Sequence, residues 1–565
     1  MTNKIIIGFL GIFLLMSCAE LDLNPLSEGS SENWYSDEVE INMALNDLYR
    51  TYLWDMETNF EMDRFTDDWS QRQATNPVRN GTVTSEWNTI ENLWLSTYKG
   101  IARANKILNN LYKVEGEIPQ EMFDQFTGEA MFVRAALYSR LVFYFGNVPF
   151  FTNDITIEEA FAMGRTDKDV ILETVYQDFD EAIKKLPVSY KGTELSRATR
   201  GAALAFKART ALCFSDWEIV RDAAKACIDL GVYSLHPDFA DYFLSKTKNS
   251  EETIFALPRL AELGSTWKTK NFIPRTAGGS AVAQPSWDLF SSFLCTDGLP
   301  IDESPLYDPR EPFKNRDPRC AMTIVEFGTE FLGYVYDPHP DSKKVLNVAT
   351  GGMVKNKDSR GVDRYASYNG LSLKKGVDED WAGDTESDFD IIIMRYADVL
   401  LMYAEAKIEL NEIDDLAINA INQVRARAYG VNVSDVQSYP AVAKESQAKM
   451  RTVLRMERRV ELAWENRRYF DLIRWKIAGK ALGTPIYGLL DVAELKDKVV
   501  DEGLWFFPGV PEIDENGIPD FEPMYENGLI KLLVERNFDE SRQYLWPIPS
   551  KEIMINDNLK QNPGY

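Results

Sequence analysis

The spacing of alanine is what most constrains the fold. Ala202, Ala205, Ala208 and Ala211 recur every third residue, so a helix through them carries a stripe of small side chains that lets a neighbouring helix come close. A helix is predicted from about Thr199 to Phe214, a turn at Ser215-Asp216, and a second helix from Glu218 to Leu230 closed by Gly231. Two helices joined by so short a turn pack against each other as a pair.

The device recurs. Ala397, Leu400, Leu401, Ala404 and Ile408 mark one helix, Asn411 to Asp414 a turn, and Ala417 to Tyr429 the partner. Upstream, Trp94, Tyr98, Ile101, Asn105 and Leu108 form one stripe. Ala130, Val133, Leu137, Leu141 and Tyr144 form another, stopped by Gly146-Asn147-Val148-Pro149. A further amphipathic helix is expected on the stripe Val453, Met456, Val460 and Trp464. No strict 34-residue period is visible, so the expectation is a divergent array of tetratricopeptide-like pairs. The predicted class is mainly α. The helical scaffold spans about 38–250 and 390–480, a loop-rich insertion about 250–390, and a C-terminal segment about 480–565. Residues 18–565 are expected to form one domain, and the 45% hydrophobic content of the full chain suffices for a large core. The insertion is dense in Gly, Pro, Asp and aromatics, and loops on a rigid frame are where recognition concentrates.

At the N-terminus, Lys4 precedes an apolar run from Ile5 to Met16, the pattern of a secretory signal. The run is shorter than the roughly 20 apolar residues that span a bilayer. It ends in Leu15-Met16-Ser17-Cys18, which resembles a bacterial lipobox, with cleavage after residue 17 and diacylation of Cys18. Two acyl chains suffice for stable anchoring. The acidic stretch Ala19-Glu20-Leu21-Asp22 resembles the signal that sends such lipoproteins to the cell surface. Of the other cysteines, Cys213 and Cys227 sit among apolar helical residues. Together with Cys295 and Cys320 they are expected as buried free thiols rather than a disulfide framework.

Four ordered blocks carry a resemblance. Gly128-Glu129-Ala130-Met131-Phe132-Val133-Arg134-Ala135 runs on to Tyr144-Phe145-Gly146-Asn147-Val148-Pro149. The second block, Arg395-Tyr396-Ala397-Asp398 through Glu405-Ala406, continues in Ile421 to Arg427. The third is Glu457-Arg458-Arg459-Val460-Glu461-Leu462-Ala463-Trp464 with Phe470 to Trp475. Leu545-Trp546-Pro547-Ile548-Pro549 and Gln561 to Tyr565 make the last. This order resembles the SusD/RagB family of outer-membrane nutrient-binding lipoproteins. The resemblance implies a helical scaffold carrying an irregular ligand-binding half. It implies a glycan ligand, or in some members a peptide, and a TonB-dependent SusC-like transporter as partner. The expected location is the outer membrane, facing the exterior. It assigns no ligand residue.

Chemistry narrows the rest. With a net charge of -26 and no basic run, nucleic acid is not an expected partner. Only His236 and His339 are present, neither in a hydrolase or metalloprotease motif, so neither catalysis nor a metal or cofactor is expected. An extracellular glycoside hydrolase remains the alternative that a carboxylate pair in a cleft would favour. Arg134, Glu405, Arg459 and Glu461 are expected in scaffold ion pairs. Sugar recognition needs flat apolar rings beside planar polar groups. Outside the helix stripes the candidates are Trp69, Trp87, Trp267, Trp287, Tyr336 and Trp381, with Arg72 beside them and Asp68, Asn76 and Lys268 as further polar neighbours. Replacing Cys18 with Ala should release the protein into the soluble fraction or stall its maturation, read by fractionation. Normal processing with unchanged membrane retention would refute the anchor.

Overall fold

The computed structural model describes residues 34–565 apart from 55, 57, 59 and 384. The signal segment and Cys18 therefore lie outside the described residues.

Ten helices build the scaffold: α1 (Glu38–Leu48), α2 (Asn88–Asn110), α3 (Gln120–Phe145), α4 (Lys168–Lys185), α5 (Arg200–Phe214), α6 (Trp217–Asp229), α7 (Tyr396–Glu409), α8 (Asp415–Ala428), α9 (Gln447–Glu461) and α10 (Arg468–Arg474). Each from α2 to α8 packs against its successor. This is the paired array the periodicity predicts, and the protein is mainly helical. Local chemistry sets the ends. Thr199 accepts a hydrogen bond from the Ala202 N–H at the start of α5, and Ser215 closes that helix in the left-handed region at φ 64°. Asp414 and Ser446 cap α8 and α9 in the same way.

Two large apolar cores result, with smaller clusters beside them. One fills the helical array around Phe132, Phe206, Leu401 and Trp546. The other lies under the irregular half around Trp287, Phe506, Phe521 and Trp464. Regular structure in that half is sparse: short antiparallel pairs such as Thr253–Leu257 with Ile391–Arg395, and a four-stranded sheet running from Glu330 to Lys355. Helix α9 joins the cores, with Met450 and Leu454 in the first and Val460 in the second. Trp464 does not continue the α9 stripe as expected. The helix ends at Glu461 and Trp464 adopts φ 59°, which swings its ring into the second core.

Between the cores lies a buried electrolyte. Glu461 receives Arg319 at 2.9 Å, Arg395 at 2.8 Å and Arg427. Glu457 takes Arg319 and Arg425, Glu252 takes Arg395 and Arg427, Glu465 takes Arg395 and Lys375, and Asp317 takes Arg319. Arg459 and Arg468 close on Asp67 and Asp68, and Arg458 and Arg474 on Asp471 and Glu405. Arg134 pairs with Asp178. The expected scaffold ion pairs are present, although Arg459 and Glu461 pair with other partners rather than with each other. Burial pushes the Glu461 carboxyl up, but Arg427 and Arg395 outweigh it and hold it well below the usual range. All four described cysteines are free, Cys213 half-buried and Cys227, Cys295 and Cys320 buried.

Glu461→Gln should cost about 3–5 kcal/mol in urea unfolding, because it strands buried guanidiniums. Breaking the exposed Lys225–Asp229 pair should leave the unfolding midpoint nearly unchanged, because solvent screens such a pair. Equal effects would show that the buried cluster carries no special weight.

Candidate functional site

The loop aromatics fall into two groups, and burial separates them. Trp381 is 0% exposed, Trp287 1%, Tyr336 3% and Trp69 6%, which corrects the expectation that these rings meet a ligand. Each is consumed by packing. Trp69 stacks on Trp464 at 4.7 Å, Trp381 stacks on Phe389 at 5.3 Å, and Trp287 meets Phe507 edge-on at 5.0 Å. Tyr336 donates its hydroxyl to the Gly370 carbonyl at 2.9 Å. An irregular half without long helices has to make its core from rings that carry no sequence period. Trp87 is half-buried against Phe65 and Trp546 of the scaffold core. Trp267 is half-buried too, edge-on to Phe60 and Trp381, with the Arg259 guanidinium over its ring at 5.9 Å. Asp68 is likewise internal, bound to Arg459. Asn76 donates to the Arg64 carbonyl, and Lys268 is exposed.

Arg72 leads elsewhere. It follows the Trp69–Ser70 strand, which pairs with Gln284–Pro285, and holds φ 50°, a left-handed conformation that a side chain with a Cβ adopts at a cost. The turn throws its guanidinium across to two other loops, where Nη2 donates to the Ser280 carbonyl at 2.7 Å and the Tyr365 carbonyl at 2.9 Å. The group lies 5.6 Å from the centre of the Tyr365 ring. Arg275 sits at 5.6 Å from the same ring and Arg364 at 4.6 Å, within the range of cation–π attraction. Tyr365 is 43% exposed. Three guanidiniums thus surround one accessible ring.

The platform is held from below. Buried Asn356 donates to the Asp337 and Ser342 carbonyls, which fixes the start of the loop. Buried Asp358 accepts the Arg275 and Thr276 N–H groups, tying residues 275–276 to it. Asp363 accepts the Tyr365 N–H and pairs with Arg275 at 2.8 Å. Gly361 is obligatory, since a Cβ there would lie 2.0 Å from the Pro340 carbonyl oxygen. Arg360 stacks over half-buried Tyr368 at 4.4 Å and reaches Asp491 at 3.2 Å. On the flank, His339 accepts Ser359 Oγ through its carbonyl and packs its ring at 5.1 Å from half-buried Trp505. Sequence reasoning found Arg72 but missed Tyr365, Arg275, Arg364, Arg360 and Trp505. The available signal was the density of Arg and Tyr in Arg360-Gly361-Val362-Asp363-Arg364-Tyr365.

Comparison with known proteins bears on both halves of this site. A model described as the SusD family matches residues 251–565, and one described as starch-binding associating with outer membrane matches residues 22–212. The chain belongs to the SusD family. The SusD-like protein P2 of Formosa agariphila is 24% identical over the full length of both chains. A crystal structure of a SusD-like carbohydrate-binding protein from Bacteroides fragilis is 28% identical, with TM-score 0.74 over 93% of this chain and 99% of that one. A laminarin-binding SusD-like protein shares the fold at 19% identity, TM-score 0.61, covering 94% and 100%. In this SusD-family chain the platform draws Arg72 from the segment matched by the starch-binding model and the 275 and 360–368 loops from the segment matched by the SusD model. Among the described residues, no His, Cys, Asp and Glu group is placed to hold a metal ion, and no helix is long and apolar enough to cross a membrane.

Trp381→Ala should destabilise the protein by about 3–5 kcal/mol, since it empties a packed core position. Tyr365→Ala should stay within about 0.5 kcal/mol of the parent, as surface changes do. Denaturant titration of both variants checks the division of the aromatics, which fails if the order is reversed.

Proposed function

We propose that the protein captures a glycan at the Tyr365 platform and passes it to a TonB-dependent outer-membrane transporter of the SusC type. The observation that carries this reading is the accessible Tyr365 ring within reach of three guanidiniums. A ring supplies apolar surface for the C–H side of a sugar, and planar guanidiniums supply paired donors for its hydroxyls. The platform is also preorganised. Asp358, Asp363 and Gly361 fix the loops before any ligand arrives, which lowers the ordering cost of binding.

Membership of the SusD family supports the glycan class, as do relatives named for carbohydrate and laminarin binding. A binding protein held by a lipid at Cys18 needs a separate pore to move its ligand across a membrane, which is the role assigned to the transporter. No catalytic role is proposed, because the platform's carboxylates are committed to holding its loops, Asp358 to the Arg275 and Thr276 N–H groups and Asp363 to the Arg275 guanidinium.

Tyr365→Ala should lower affinity for a bound polysaccharide about thirtyfold, the loss typical of a central aromatic anchor. Titration calorimetry and affinity electrophoresis against a glycan panel, using protein that begins after Cys18, would measure it. Full affinity in Tyr365→Ala would overturn the assignment of the site.

A further inference from the structure

We propose that the platform selects an anionic glycan, one bearing uronate carboxylates or sulfate esters, whose charged groups are held by the guanidiniums around Tyr365. This rests on the glycan-binding reading and deepens it by naming the class of sugar.

The inference comes from a contrast with the ion lattice around α9. In the interior every guanidinium of the α9 network faces carboxylates in matching number. Arg319, Arg395, Arg425, Arg427 and Lys375 stand against Asp317, Glu252, Glu457, Glu461 and Glu465. Arg459 and Arg468 stand against Asp67 and Asp68. The platform lacks that balance of charge. Arg72 reaches only backbone carbonyls, and Arg364 reaches only the Tyr365 hydroxyl; neither pairs with a carboxylate among the described residues. Arg275 has Asp363, while Arg360 shares Asp491 with Lys531. Even with buried Asp358 counted as charged, three carboxylates serve five cations there.

That excess stands on a chain whose formal net charge is -26, where random placement of charge favours acidic patches. Its maintenance has a cost. Arg72 is partly desolvated, lies close enough to Arg275 for the two to repel, leaves its buried Nε without a partner, and sits in a left-handed backbone conformation. A bound carboxylate or sulfate would offset the repulsion and supply the planar or multi-oxygen acceptor that guanidinium groups recognise. A neutral sugar would leave the excess uncompensated. Local cation excess within an acidic surface also concentrates anionic ligand at the platform rather than along the rest of the chain.

The test compares matched polymers that differ only in charge: polygalacturonate with its methyl-esterified form, alginate with its carboxyl-reduced form, and a sulfated galactan with its desulfated form. At least one anionic member should bind, with its neutral counterpart at least on the order of tenfold weaker. Raising NaCl from about 50 to 500 mM should weaken the anionic polymer and leave any neutral binding unchanged. Arg364→Gln should lose on the order of tenfold for the anionic polymer with an unchanged melting temperature. Arg72→Gln, on a separate loop, should do the same. Equal binding of charged and neutral partners, insensitive to salt and to both Gln variants but abolished by Tyr365→Ala, would overturn the charge selectivity and keep the glycan platform. Absence of binding across the panel, or binding indifferent to Tyr365→Ala, would overturn the platform reading and this inference with it.

Discussion

Glu461 is the group on which the rest of the structure depends. It is fully buried at the end of α9, and its two oxygens are shared among guanidiniums from three distant parts of the chain: Arg319 from the irregular half, Arg395 from the strand that enters α7, and Arg427 from α8. Each guanidinium carries a second carboxylate, so the charges form a lattice rather than pairs. Burying ions this deeply carries a large desolvation cost, and an apolar replacement of equal volume could be as stable. What an apolar contact lacks is direction. Two greasy surfaces can slide by a turn, whereas a carboxylate flanked by forked donors accepts one geometry. The lattice therefore fixes how the irregular half sits on the helical scaffold.

The irregular half needs such a fixture because its own backbone provides little. Several of its paired strands run for two residues only. Its rigidity comes from aromatic packing and from side chains that satisfy loop carbonyls. Arg316 donates to Phe290 and Phe293, Arg79 to Trp69, and Asn369 to Pro285. Burial pushes the Arg79 guanidinium down to about 9, with nearby Arg536 acting in the same direction. Loops held in this way keep a defined shape without secondary structure. The platform inherits that definition, since residues 275–281 and 356–368 are sutured by Asp358 and Arg72.

Legibility in the sequence follows the range of the interactions. The helical array could be read because period, capping and termination are local. Ala202, Ala205, Ala208 and Ala211 are all buried in α5, and Ser215 ended it where expected. The pairing of Arg134 and Glu405 with opposite charges was legible as chemistry, although their partners Asp178 and Arg474 were not. The tryptophans were misread because burial of a non-periodic ring depends on contacts far along the chain. Trp69 is covered by Trp464, and Trp287 by Phe506, Phe507 and Phe521. Polar neighbours in sequence such as Asp67 and Asp68 suggested exposure for Trp69. Those carboxylates are themselves buried, neutralised by Arg459 and Arg468.

The same physics accounts for a tyrosine rather than a tryptophan at the platform. Tryptophan offers the largest apolar burial per residue, so a half-domain short of helices spends it on its core. A surface ring is under the opposite demand. It should lose little on exposure, keep a polar tip in water, and orient charged neighbours through its face. Tyr365 meets these conditions, with its backbone carbonyl held by Arg72 and its N–H by Asp363. Composition alone could not separate the two uses, since both draw on aromatics in polar loops. Burial separates them: Trp381 is enclosed by Trp267 and Phe389, whereas Tyr365 is open to solvent with guanidiniums around it.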